Sequence, residues 1–123
     1  MPSKMLPRVG GSTRTPHAPD PQWLAARPEP IIEPALPIID PHHHLFERPG
    51  LRYLLDEYLA DVRSGHNLRA SVFVDCGHSY RKDGPVAMAP LGEVEYANAV
   101  ADSMASDPVK ICAGIVSSAD LTL

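Results

Sequence analysis

From Leu36 onward the apolar positions switch between two periods, and each period predicts an element. "LPIID", residues 36–40, is a short apolar run of the kind a buried strand shows. Leu51, Leu54, Leu55, Tyr58, Leu59 and Val62 then recur at i, i+3, i+4, i+7, i+8 and i+11, the stripe of an amphipathic helix. Asp56 and Glu57 suit its first turn, where acidic groups meet the positive end of the helix dipole, and Ser64-Gly65 ends it. "ASVFVDCG", residues 70–77, is β-branched and apolar on both faces, which predicts a strand covered on both sides. After a loop with Gly84-Pro85 and Pro90, a second helical stripe runs through Val94, Ala97, Ala101, Met104 and Ala105. It stops near Ser106-Asp107-Pro108. "KICAGIV", residues 110–116, is a third run that would be buried on both faces. The order βαβαβ implies parallel strands joined by right-handed crossovers, an α/β class.

The chain before this pattern reads differently. Nine of the fourteen prolines fall in residues 1–37. Residues 1–20 add Gly10-Gly11, Ser and Thr with no apolar period, which predicts a flexible Pro-rich tail followed by a domain over 21–123. One short helix is expected around Trp23 to Arg27, capped by Asp20, with Pro21 at its first position and Pro28 and Pro30 beyond. Trp23 is expected to anchor this arm to the domain.

Composition narrows the classes. At 123 residues the chain has room for one core. A net charge of −4 without clustered Lys or Arg argues against a nucleic-acid surface. There is no apolar run long enough to span a membrane and no apolar leader, so cytoplasm is the expected compartment. Cys76 and Cys112 lack zinc-clip spacing and read as buried free thiols, with a metal or redox role for Cys76 as the sharper alternative.

The candidate chemistry is "DPHHH", residues 40–44, at the carboxyl end of the first predicted strand. In parallel α/β architectures ligands bind on that face. Alternate side chains of an extended segment point the same way, so His42 and His44 converge while His43 points elsewhere and packs or supports them from behind. Two neutral imidazoles suit a divalent ion such as zinc, manganese or iron. Asp40 is placed to hold an imidazole tautomer or line the pocket floor. The competing reading is a solvated histidine cluster with adventitious metal affinity. In "DCGHSYRKDGP", Asp75, His78 and Tyr80 reach the same mouth from the second loop, as substrate contacts or as ordinary loop polar groups.

"PIIDPHHHLFERPGLRYLLDEYLADVRSGHN", "VFVDCGHSYRKDGP" and "CAGIVSSADL" together resemble the amino-terminal third of amidohydrolase-related proteins. These are metal-dependent hydrolases of β/α-barrel fold that include lactonases and decarboxylases. The resemblance spans about Asp20 to Leu123, and D-x-H-x-H is its most specific part; Phe46 stands where the family often has Trp. It implies that His42 and His44 are metal ligands, that the ion is zinc or manganese, and that a lactone, amide or ester is hydrolysed, with decarboxylation as the alternative. It also implies that this chain holds the first three strands and two helices of a (β/α)8 barrel, since a full one takes about 250 residues. The catalytic base would lie beyond the chain, making it an inactive amino-terminal fragment or a non-catalytic metal-binding module. A small-molecule substrate is the expected partner, with no nucleic acid and no membrane. Open sheet edges predict marginal stability in isolation.

Overall fold

The computed structural model describes residues 19–122. The tail assigned to residues 1–20 therefore falls almost wholly outside the described part. Asp20 caps the short helix α1 (Pro21–Ala25), its carboxylate accepting from the amides of Gln22 and Trp23, with Pro21 at the first helical position. Trp23 is 75% exposed, so it does not anchor the arm as expected. The strands and helices that follow are β1 (Pro37–His43), β2 (Phe46–Arg48), β3 (Leu51–Tyr53), α2 (Leu55–Val62), β4 (Asn67–Val74), α3 (Leu91–Ser103) and β5 (Lys110–Val116).

Two sheets form. One is parallel with strand order β1-β4-β5, and the other is the antiparallel pair β2–β3. The barrel expectation of three strands and two helices from a (β/α)8 barrel is corrected by this arrangement: the described residues form a small α/β domain with a three-stranded parallel sheet, a two-stranded antiparallel sheet and three α-helices, and no barrel pattern forms among them. Three parallel strands are too few to close a barrel of eight, and the second sheet comes from "FERPGLRY". Pro49-Gly50 makes a turn with Gly50 at φ +77°, a conformation glycine adopts without a Cβ penalty, and the flanking triplets pair as a hairpin. The helical stripe that opens at Leu51 thus becomes helix only from Leu55. Glu57 reaches back to accept from the Leu54 amide at 2.9 Å and closes that helix start.

The expectation of strands covered on both sides is corrected as well. Along β4, Ser71 and Phe73 are buried while Val72 and Val74 are only partly covered, and Ile39 and Val116 on the outer strands are exposed. The core gathers Tyr58 and Val62 from α2, Ala97 and Val100 from α3, Phe73 and Ile111 from the sheet, and Leu45 from the segment after β1. Burying a ring such as Phe73 contributes about 2–3 kcal/mol.

Both outer strands carry irregularities. Between Asp40 and His43, β1 spends three residues where β4 spends two, a bulge that contains Pro41. In β5, Lys110 to Gly114 lies opposite Ala70 to Val72, and Cys112 takes φ +53° there. Proline suits an edge strand because it has no amide to donate to a neighbour.

Candidate functional site

The carboxyl end of the parallel sheet collects the polar cluster, and the β1 bulge shapes it. Asp40 Oδ1 accepts from the His42 amide at 3.0 Å and Oδ2 from the Tyr58 hydroxyl at 2.9 Å. The carboxylate thereby braces the kinked backbone against α2, and it holds no imidazole. Beyond the kink, His42 and His44 turn toward each other. Their Nε2 atoms are 3.2 Å apart, with ring planes nearly perpendicular at 87° and centroids 4.9 Å apart. His44 Nδ1 lies 2.7 Å from the Val74 carbonyl, which can only accept. The proton of His44 therefore sits on Nδ1, and Nε2 presents its lone pair to His42.

That spacing can be tested against a metal. With zinc–nitrogen bonds of about 2.0–2.1 Å, two donors 3.2 Å apart subtend roughly 100° at a shared ion, close to a tetrahedral angle. The residues fit a divalent ion as two adjacent ligands. Among the described residues no group of three His, Cys, Asp or Glu side chains is placed to hold one.

His43 goes the other way, into the core, and is 6% exposed. Its ring stacks on Tyr58 at 4.1 Å and meets Phe73 edge-on. Ser71 Oγ takes the Cys112 amide at 3.0 Å and lies 3.0 Å from His43 Nε2, so its hydroxyl donates to that nitrogen. One serine thus links all three strands across both irregularities. Burial pushes the His43 imidazole down to about 4, outweighing the nearby Asp40 charge. Its Nδ1 has no partner. His43 is a neutral packing residue beneath the pair.

The second loop forms a separate cluster. Tyr80 donates to Asp75 Oδ1 at 2.8 Å and lies 2.8 Å from Ser118 Oγ, while Asp75 Oδ2 is shielded from solvent without a partner. His78 bonds Ser79 and packs edge-on against Tyr96. The three predicted contacts thus split, with Asp75 and Tyr80 together and His78 apart. An open groove of about 440 Å³ adjoins Asp40 and is lined also by Ile39, Tyr53, Tyr58 and His66, but not by the histidine pair.

No family model, curated protein or solved structure matches this chain.

Glu93 is the residue that sequence reasoning missed. It is fully buried in the first turn of α3, its Oε1 accepting from the Cys76 amide at 3.1 Å and its Oε2 from the Gly77 amide at 2.9 Å. The Cys76 thiol donates to Oε1 at 3.3 Å. Burial, reinforced by that carboxylate, pushes the thiol up to about 11. Gly92 precedes it because a Cβ there would lie 2.3 Å from the Ser79 carbonyl oxygen and 2.6 Å from the Arg81 nitrogen. The available signal was an acid in a predicted first helical turn, which ordinarily reads as dipole compensation at the surface. Among the described residues no helix is long and apolar enough to cross a membrane.

Proposed function

We propose that His42 and His44 bind a divalent ion, zinc or manganese, and that the site belongs to a metal-dependent hydrolase of the amidohydrolase type acting on a lactone, amide or ester. The observation that carries this reading is the 3.2 Å approach of the two Nε2 atoms, with the tautomer of His44 set by the Val74 carbonyl. A bound divalent ion lowers the pKa of its water and polarises a carbonyl. The chain's own residues orient the pair: Asp40 holds the kink that aims His42, and Val74 holds His44. The loop carrying Asp75, His78 and Tyr80 supplies the substrate contacts, with a small molecule as the partner. Decarboxylation would use the same pair. The reading keeps the cytoplasm as compartment, consistent with two free thiols.

A non-catalytic metal-binding module is the second reading, favoured by the lack of a third donor among the described residues. Zinc titration of the chain and of its His42→Ala and His44→Ala variants, with turnover measured on a lactone panel, tests both. Zinc uptake that each substitution removes is expected. Turnover supports the hydrolase, uptake without turnover supports the module, and no uptake refutes both.

A further inference from the structure

The pair occupies two places of a four-place shell, and its surroundings bear on where the other two donors come from. Asp75 Oδ2 has no partner, yet among the described residues no third His, Cys, Asp or Glu side chain is placed with the pair to hold an ion. Both oxygens of Asp40 are taken, by the His42 amide and the Tyr58 hydroxyl. Those of Glu93 are taken by Cys76 and Gly77. The Cys76 thiol is bound to Glu93 and held protonated, so it is a poor ligand. His43 is buried beneath the pair, with its Nε2 on Ser71.

The pair itself is accessible. His42 is exposed, and it lies on β1, an outer strand of the parallel sheet. Exposed Ile39 stands on the same strand, so the outer strand presents an apolar side chain to water as well as His42. A net charge of −4 per chain is a mild barrier to bringing two copies together. An isologous contact repeats every residue across a two-fold axis. An ion lying on that axis would meet His42 and His44 twice, which makes four imidazole nitrogens.

We infer that one divalent ion is shared by two copies of this chain, His42 and His44 of each filling a closed four-imidazole shell. The inference rests on the metal reading of the pair given above. Zinc prefers four-coordinate tetrahedral sites, and a site with four protein ligands is structural rather than catalytic. The closed shell leaves no place for a zinc-bound water, so it belongs with the non-catalytic module reading of the pair and not with the hydrolase.

The experiment is a zinc titration of the full chain followed by analytical ultracentrifugation and metal analysis. A species of twice 13.3 kDa is expected, saturating at half an equivalent of zinc and reverting to monomer with EDTA. Cobalt in place of zinc should give the intense visible bands of a tetrahedral site. Losing an outer partner of a ligand already costs about 10–100-fold in metal affinity, so His42→Ala, which removes two ligands per pair, should abolish zinc-linked association. His66→Ala, at another exposed histidine, should leave it unchanged. One zinc per monomer would overturn the shared shell while leaving the metal reading intact. No zinc uptake would overturn both. A dimer indifferent to EDTA would overturn the role of the ion.

Discussion

Replacing Glu93 by alanine tests whether a buried acid holds the loop that follows β4. The carboxylate is fully buried and accepts three donors, the amides of Cys76 and Gly77 and the Cys76 thiol. Glu93→Ala leaves the two amides without their acceptor, at about 1–3 kcal/mol each when no water replaces it. It also opens a small void. Two effects act against this: the cost of burying the carboxylate disappears, and Gly77 is exposed enough for water to reach its amide. The net loss should be about 2–4 kcal/mol, a large part of the 5–15 kcal/mol typical of a domain. Glu93→Gln keeps one acceptor oxygen but sets an NH2 group against an amide, so a loss of about 1–2 kcal/mol is expected. Urea unfolding followed by far-UV circular dichroism measures both. Fluorescence would be a poor reporter, because Trp23 is 75% exposed in the arm. A Glu93→Ala change within about 0.5 kcal/mol of the parent would show that the carboxylate does not hold the loop, and the argument would fail.

Phe73→Ala, at a ring 1% exposed in the middle of the sheet, should cost about 3–5 kcal/mol in the same urea experiment; a cost below about 1 kcal/mol would refute its place in the core. Gly92→Ala drives a Cβ into the backbone at Ser79 and Arg81, which has no flexible end to move aside; a loss of about 1–3 kcal/mol is expected, and a neutral result would refute that close approach. Burial pushes the Cys76 and Cys112 thiols from 9.0 to about 11, so at pH 8 each should be alkylated about a hundredfold more slowly than a free thiol. Each proton is held more tightly in the folded chain than in the unfolded one. The stability this contributes is complete below pH 9 and is lost as pH rises toward 11. Alkylation of Cys76 should accelerate in Glu93→Gln, and an unchanged rate would refute the effect of Glu93 on that thiol.

Elements with a strong local signal were legible in the sequence. The β5 run has the bounds its apolar stretch predicted, Lys110–Val116, and the cap and first residue of α1 follow from Asp20-Pro21. The helix stripe through Tyr58 and Val62 was also legible, since both are buried in the core. The start of that stripe misled, because Leu51 fits a helical period and a hairpin equally well until Pro49-Gly50 turns the chain. Apolar residues on both faces of a strand predicted two covered faces, yet composition records what a face could bury and not whether anything lies against it.

The site divides along the same line. Residue types and spacing determined that two imidazoles two apart could share a direction; they set Asp40 on an imidazole or the pocket floor, whereas the fold has it bracing the kink. Only the tertiary structure decided the rest. It set the tautomer of His44 through a carbonyl thirty positions away, and it sent His43 into the core against Ser71 and Tyr58. It also gave Glu93 the amides of Cys76 and Gly77 in place of solvent. Local periodicity reports which side chains share a face, whereas hydrogen bonds between distant segments exist only once the strands are in register. The register shifts among β1, β4 and β5 depend on the neighbouring strand, and only Pro41 marks one of them in its own segment.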